Sequence, residues 1–234
     1  MQGMAQLTAA IAIFVGTHFL MSHPLRHKMV AGLGNNGFQI VYSIISLATL
    51  LWAISAYRDA PLSAPLWAAN DGLWWVASVL TLLGSILFVG SFFGNPAMPS
   101  PGASAAAKGS ARGVFGITRH PMMWGLALFA ASHILISPQV SLIILAVGVT
   151  FLALAGSAGQ DKKKAVTMGA DWSGWTAKTS YWPFGLQLTG KASWASAYPG
   201  RTPMLGGVLL WLSITYGHSW FGIAGAGVWR WIWG

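Results

Sequence analysis

The chain contains no cysteine and very few charged residues. Without thiols it cannot form a disulfide, a zinc–thiolate site, an iron–sulfur cluster or a cysteine nucleophile. Charged residues make up only 7% of the 234, and only four of them are acidic. This composition cannot supply the water-facing surface of an ordinary globular protein. Histidine is therefore the main candidate for any metal ligand.

Hydrophobic residues make up 55% of the chain, and its mean hydropathy is +0.59. They form stretches of the length that crosses a bilayer, about 17 to 25 residues. The first lacks the basic start and cleavage pattern of a signal peptide, so we expect it to be a retained span. The sequence predicts an all-α, polytopic membrane helix bundle in a single domain, 1–234, with about six transmembrane helices. The six stretches are 4–21, 37–57, 73–93, 121–136, 140–158 and 203 to about 222.

The net charge of +9 is concentrated in alternate loops. Because Lys and Arg collect on the cytoplasmic side, this alternation predicts both termini on the non-cytoplasmic side of a membrane, which we expect to be the bacterial inner membrane. Basic loops on a membrane protein indicate contact with anionic lipid headgroups rather than nucleic acid. The basic residues of these loops are Arg26, Lys28, Lys108, Arg112, Arg119, Lys162, Lys163, Lys164, Lys178, Lys191 and Arg201.

Three segments outside the predicted spans have distinct compositions. Residues 95–113 are of low complexity and predict a flexible cytoplasmic loop. Residues 159–202 form a cytoplasmic basic segment. Residues 219–234 are rich in tryptophan, which favours the headgroup level of a bilayer, and predict an interfacial tail.

Two histidines, His18 and His133, lie inside predicted spans with apolar neighbours on both sides. An ionisable side chain at such a position is costly, so a functional role is the default hypothesis. One alternative is a neutral imidazole bonded to a neighbouring helix, and the other is a ligand of a metal or haem. A proton relay would lack partners, because we expect every carboxylate in a loop or at a helix end. The acidic residues are Asp59, Asp71, Asp161 and Asp171.

Helix geometry limits which histidines can act together. His120 and His133 are thirteen residues apart, roughly 140° around one helix, so they cannot bind the same metal. His120 also precedes Pro121, which suits the first turn of a helix. A partner for His133 must come from another helix. His18 and His218 could each supply it, and the spacing leaves both pairs open.

Several blocks in a fixed order resemble the NnrU family of integral membrane proteins. Members of that family are associated with nitric oxide and denitrification gene clusters, and the plastid ζ-carotene isomerase is similar to them. The resemblance implies a haem b held by His18 and His133. His218 stays the alternative ligand that the spacing of the histidines leaves open. The isomerase has a cysteine where this chain has Ala130, so its redox-dependent ligand exchange is not implied here. The blocks are 14–61, 117–135, 159–164, 168–184 and 216–222.

A more distant similarity joins residues 118–125 and 160–175 to isoprenylcysteine and phospholipid methyltransferases. In those enzymes an Arg-His-Pro motif lines the site for S-adenosylmethionine, which implies a cofactor-binding role for Arg119 and His120. Here Met123 replaces a tyrosine of the motif, and Gln160 with Asp161 stands in place of two glutamates. Both replacements weaken the methyltransferase interpretation.

Three functions therefore stay open. The first is a haem-b membrane protein that serves nitrogen-oxide metabolism or, like a haem-dependent cis-trans isomerase, acts on an apolar polyene. The second is an S-adenosylmethionine-dependent membrane methyltransferase. The third is a non-catalytic accessory protein, in which the buried histidines only join helices. Membrane lipid is an expected partner in each case.

Overall fold

The computed structural model describes residues 2–98, 100–221 and 225–233. These residues form helices and connecting loops, without a strand, in agreement with the predicted all-α class. The α-helices are α1 (Gln2–Ser22), α2 (Arg26–Arg58), α3 (Asp71–Gly90), α4 (Ala103–Lys108), α5 (Pro121–Ile136), α6 (Val140–Met168), α7 (Ala170–Ala177), α8 (Gly185–Leu188), α9 (Arg201–Gly217) and α10 (Trp229–Trp233).

Four of these helices, α1, α2, α3 and α6, are long and apolar enough to cross a membrane. The helices at the other two predicted spans, α5 and α9, are shorter, with 16 and 17 residues. The protein is thus an integral membrane protein, and the number of six spans stays a prediction. The end of the sixth predicted span, at residue 222, lies outside the described residues.

Large apolar side chains remain exposed along one face of α2. Ile40, Ile44, Leu47 and Leu51 are 61%, 62%, 56% and 57% exposed. Their spacing of four, three and four residues places them in one stripe along the helix. A contiguous apolar stripe of this kind is stable against lipid tails but not against water. This face of α2 therefore meets the hydrocarbon layer.

Two helices extend further than the sequence predicted. α2 begins at Arg26 instead of residue 37, with a break at Gly34, whose φ of 69° lies in the left-handed region that glycine tolerates. α6 continues past residue 158 to Met168. Its 29 residues span about 43 Å, more than the roughly 30 Å of a hydrocarbon core. Because residues 159–168 include Asp161 and three lysines, we expect this end of α6 to lie outside the hydrocarbon layer.

The extension of α6 corrects one expectation. Asp161 lies within this helix and not in a loop or at a helix end, and its side chain is only 16% exposed. The expectation that every carboxylate lies in a loop or at a helix end is therefore wrong for Asp161. The connection between α5 and α6 consists of only three residues, 137–139, as the bounds of the fourth and fifth predicted spans require.

The long helices pack as a row of neighbours in the order α2, α1, α6, α5, α3 and α9. In this row, α3 and α5 cross closely at a pair of glycines. A Cβ on Gly125 would lie only 2.7 Å from the carbonyl oxygen of Gly84. A larger residue at this position would force the two backbones apart. Close approach of the backbones holds helices together in a bilayer, so glycine is required there.

The segment 95–113 contains α4 and packs against the end of the bundle. Ala97 and Ala107 are buried in a core that also contains Trp172 and Trp175 of α7. Gln160 Nε2 donates to the carbonyl oxygen of Ala97 at 2.8 Å. The flexibility of this segment stays a prediction, and its residue 99 lies outside the described residues.

The C-terminal tail packs back onto the start of α3. The indole ring of Trp231 stacks on that of Trp75 with 4.9 Å between the ring centroids. The guanidinium of Arg230 lies over the ring of Trp74 at 4.5 Å. The interfacial position of 219–234 stays a prediction, and its residues 222–224 and 234 lie outside the described residues.

Candidate functional site

The imidazole rings of His133, in α5, and His218, directly after α9, lie next to each other. Their ring centroids are 6.3 Å apart, and the ring planes make an angle of 33°. α3 packs against both α5 and α9, and Trp211 Nε1 of α9 donates to Thr81 Oγ1 of α3 at 2.9 Å. This hydrogen bond holds α9 beside α3. Because α5 also packs against α3, the imidazoles of His133 and His218 lie on the same side of α3.

Each imidazole of this pair bonds the backbone of its own helix. His133 Nδ1 lies 2.8 Å from the carbonyl oxygen of Phe129, and His218 Nδ1 lies 2.7 Å from that of Ile214. A carbonyl oxygen can only accept, so Nδ1 carries the proton in both rings. In a neutral imidazole this leaves the lone pair on Nε2, the atom that ligates a metal.

Both rings line one cavity of about 390 Å³, between α3, α5 and α9. This volume is within the range of about 300 to 1,000 Å³ that is common for small-molecule sites. The walls are mainly apolar and aromatic, with hydroxyl groups from α3 and α9. Besides the two histidines, they include Trp74, Ala77, Ser78, Thr81, Phe129, Ile136, Leu142, Trp211, Ile214 and Thr215.

His18 lies in a different cavity. It lines a space of about 560 Å³ between α1, α2, α5 and α6, which shares no lining residue with the His133–His218 cavity among the described residues. His18 also donates from Nδ1 to a backbone carbonyl of its own helix, that of Phe14, at 2.6 Å. Its ring packs edge-on against Tyr42 of α2. The structure therefore brings together His133 and His218, and it does not bring His18 to His133.

Arg119 and His120 form a polar cluster with Asp161 of α6. Arg119 Nε and Nη2 lie 2.8 and 2.6 Å from Asp161 Oδ2, and His120 Nε2 lies 2.6 Å from Oδ1. The side chain of His120 is 1% exposed, and that of Arg119 is 15% exposed. Because its Nε2 faces the carboxylate, His120 joins α5 to α6 and does not line either histidine cavity.

A loop residue, Tyr181, holds this cluster in place. Its carbonyl oxygen accepts hydrogen bonds from Thr118 Oγ1 at 2.7 Å and from Trp124 Nε1 at 2.9 Å. Its hydroxyl donates to the carbonyl oxygen of Leu154 in α6 at 2.6 Å. The guanidinium of Arg119 lies 5.6 Å from the centre of its ring. Tyr181 thus ties the start of α5 to α6 and covers the ion pair.

Sequence reasoning missed both the burial of Asp161 and the role of Tyr181. The available signal for Asp161 was the methyltransferase-like pattern, which relates positions 160 and 161 to the Arg-His-Pro motif. Nothing in the local pattern around Tyr181 distinguishes it from other loop aromatics. Its contacts join residues that are 27 to 63 positions apart in the chain.

No group of three or more His, Cys, Asp or Glu side chains in the described part of the chain could hold a metal ion. The His133–His218 pair can supply two nitrogen ligands. It therefore suits a metal whose other ligands come from a cofactor, as the four pyrrole nitrogens of a haem do.

The family model that describes the NnrU protein matches residues 6–225 of this chain. The match covers α1 from residue 6 onward and the whole of α2 to α9, and it includes His18, His133 and His218. No curated protein and no solved structure shows a significant match to the chain. Since the family model extends over nearly its whole length, the chain belongs to the NnrU family.

Proposed function

We propose that this NnrU-family membrane protein binds haem b through His133 and His218. The observation that carries the proposal is the pair of adjacent imidazoles, 6.3 Å apart, whose Nδ1 atoms are both occupied by backbone carbonyl oxygens. Both rings line the same mainly apolar cavity. The membrane position of the family supports the same assignment, since haem b is held noncovalently between helices in many membrane proteins.

The two rings are close enough for both to hold one metal. A metal–imidazole nitrogen bond is about 2.0 Å long, and the ring centroids of His133 and His218 lie 6.3 Å apart. The two histidines would therefore hold the iron of a haem b together, each through Nε2.

Arg230 offers a partner for an anionic edge of the cofactor. Its guanidinium lies 4.5 Å from the ring centre of Trp74, which lines the cavity, and its Nη2 lies 3.3 Å from Asp71 Oδ1. Its Nε is buried without a hydrogen-bond partner among the described residues. Haem b carries two propionate groups, and a guanidinium binds carboxylates well. Arg230 would therefore hold a propionate at this end of the site.

Haem b held by these two histidines would supply one-electron transfer. The backbone bonds of His133 and His218 keep their Nε2 atoms available for the iron. The resemblance to the isomerase and to denitrification-linked proteins favours a role in nitrogen-oxide metabolism or in redox chemistry on an apolar polyene. His18 as an axial ligand is the competing assignment.

Absorption spectroscopy of the purified protein during titration with haemin tests the proposal. We expect a bis-histidine Soret band and split α/β bands at one haem per chain. Both are expected to be lost in His133→Ala and in His218→Ala, and retained in His18→Ala. His27→Ala, in the basic region after α1, is the matched control. Colourless protein would overturn haem binding, and loss in His18→Ala with retention in His218→Ala would overturn the ligand pair.

The alternation of basic loops supports placing both termini on the non-cytoplasmic side of the bacterial inner membrane. Reporter enzymes fused to the C-terminus check this orientation. We expect activity from a reporter that folds only outside the cytoplasm and none from one that fluoresces only inside it. The reverse pattern would contradict the orientation.

The Arg119–His120–Asp161 cluster favours a second candidate, a membrane methyltransferase. The cluster borders an open cavity of about 520 Å³, to which Arg119, Asp161, Tyr181 and Trp182 contribute. Calorimetric titration with S-adenosylmethionine tests it, with Arg119→Gln as the control that should lose the signal. Absence of heat from the unmodified protein would reject this function. A colourless protein that also lacks this signal and retains a stoichiometric protein partner would instead favour an accessory role.

A further inference from the structure

The cavity that contains His18 plays no part in the proposed haem site. Its lining comes from α1, α2, α5 and α6 and from the turn that follows α1. Along α6 it runs from Val149 to Lys163, fourteen residues or about 21 Å. That length exceeds one leaflet of a hydrocarbon core, roughly 15 Å.

The two ends of this His18 cavity differ in chemistry. Phe14, Leu50, Leu126, Val149 and Leu152 line the part within the membrane-spanning helices. The other end meets the turn between α1 and α2 and the extension of α6, where Ser22, His23, Gln160 and Lys163 contribute polar atoms. The cavity therefore has the polarity of an amphiphile, with an apolar length and a polar end.

The polar end continues into a groove lined by basic side chains. Ser22, His23 and Lys163 belong to both, and the groove adds Arg26 and His27. We call Arg26 and Lys163, together with the imidazoles of His23 and His27 beside them, the cation cluster. Burial lowers the pKa of the His23 imidazole, and the positive charges of Lys163 and Lys162 lower it further. The surroundings of this cluster are thus strongly positive.

No carboxylate neutralises the cation cluster in the described residues. Asp161 precedes Lys163 by two residues, roughly 200° around α6, and bonds Arg119 and His120. Asp171 pairs with Lys108, and Asp71 pairs with Arg230. Asp59 follows the far end of α2, 33 residues from the helix start at Arg26. A cluster of cations beside a membrane attracts an anion from outside the chain.

We propose that the His18 cavity binds an anionic amphiphile, with its phosphate or carboxylate head at the cation cluster and one hydrocarbon chain between α1, α2, α5 and α6. Charge complementarity favours an anionic head group, and the apolar walls favour a hydrocarbon chain. The bilayer supplies such molecules directly, because the polar end lies at the level where residues 159–168 leave the hydrocarbon layer. This proposal is independent of haem binding, since the two cavities share no described residue.

Native mass spectrometry of the delipidated, full-length protein tests the proposal with three ligands that share one oleoyl chain. We expect 1-oleoyl-lysophosphatidic acid and oleic acid to bind at one per chain, at least tenfold more tightly than zwitterionic 1-oleoyl-lysophosphatidylcholine. The preference between the two acids distinguishes a phosphate head from a carboxylate head. Equal binding of the zwitterionic lipid, or no binding of either acid, would overturn the proposal.

Two variants separate the head site from the chain site. Lys163→Gln is expected to weaken binding of the lysophosphatidic acid about fivefold, the effect of one cation near a lipid headgroup. Lys191→Gln, an exposed lysine outside the cavity, is its control. Gly156→Leu is expected to abolish stoichiometric binding, because a side chain there enters the cavity and a Cβ meets nothing within 4 Å. Gly16→Leu, also unobstructed but outside the cavity, is expected to bind normally.

A second readout does not depend on any variant. Titration of the His23 ring protons by NMR is expected to show a pKa below that of an ordinary histidine in the free protein. Binding of the lysophosphatidic acid should raise this pKa, because an anion beside the ring favours its charged form. An unchanged His23 titration at saturating ligand, or binding retained in Gly156→Leu, would place the amphiphile elsewhere and overturn the proposal.

Discussion

Replacement of Asp161 by asparagine is the sharpest test of the polar cluster between α5 and α6. The carboxylate accepts from two nitrogens of Arg119 and lies 2.6 Å from Nε2 of His120. Asparagine offers one acceptor oxygen in place of two and carries no charge. The variant would therefore leave the buried guanidinium without a counter-charge, while the size of the side chain hardly changes.

The magnitude follows from the burial of the partners. The side chains of Asp161 and Arg119 are only 16% and 15% exposed, so solvent screens this pair weakly. Removal of one member of a buried pair costs about 3 to 5 kcal/mol, and the oxygen that remains places Asp161→Asn at the lower end, about 3 kcal/mol. In a chain of this size each kcal/mol lowers the melting temperature by about 2 to 4 °C, which predicts a decrease of about 6 to 12 °C.

The control is Asp171→Asn, whose ion pair with Lys108 is 3.6 Å long. Lys108 is 69% exposed, so this pair contributes at most about 1 kcal/mol. Thermal unfolding in one detergent, followed by tryptophan fluorescence, compares the two variants. Combining Asp161→Asn with Arg119→Gln should cost less than the sum of the single changes, because the second change removes the unpaired charge. Equal melting temperatures for Asp161→Asn and Asp171→Asn would refute the reasoning.

Two further predictions concern packing, and a third concerns the independence of the two cavities. Gly125→Ala is expected to lower the free energy of unfolding by about 1 to 3 kcal/mol, because the new Cβ would lie 2.7 Å from a backbone oxygen of α3. The control Gly16→Ala meets no atom and should be neutral or stabilising in the same unfolding assay. Trp175→Ala is expected to lower the free energy of unfolding by about 3 to 5 kcal/mol, because this side chain is only 1% exposed. Trp194 is 62% exposed, so Trp194→Ala should have a much smaller effect. Similar losses in the two variants would contradict this prediction. Gly156→Leu should leave the haemin titration unchanged, since it alters only the His18 cavity; loss of the Soret band would show coupling between the cavities.

The positions of the helices could be predicted from hydropathy, but their ends could not. Each predicted span corresponds to a helix, because about twenty apolar residues without charge favour one structure in a bilayer. The extension of α6 through the run of Asp161 and three lysines was not predictable from apolar composition. Tertiary contacts stabilise it, including the bonds from Arg119 to Asp161 and from Lys164 to the carbonyl oxygen of Pro96.

The candidate site was predictable only in part. The sequence identified His133 as a residue that needs a partner, because its place in an apolar helix requires one. The choice between His18 and His218 depends on which helices are neighbours. α6 packs between α1 and α5, whereas α3 brings α5 and α9 together. Which of these helices are neighbours in the fold cannot be derived from the spacing of residues along the chain.

The scarcity of acidic residues links the two proposed sites. Three of the four carboxylates are paired within the chain, with Arg119 and His120, with Lys108 and with Arg230. The cation cluster beside the His18 cavity has no such partner among the described residues. Arg230 has Asp71 as its counter-charge, but its Nε makes no hydrogen bond among the described residues. Buried or crowded cations require counter-charges, and a chain with a net charge of +9 must take them from other molecules. A lipid phosphate at one end and a haem propionate at the other would each supply what the sequence lacks.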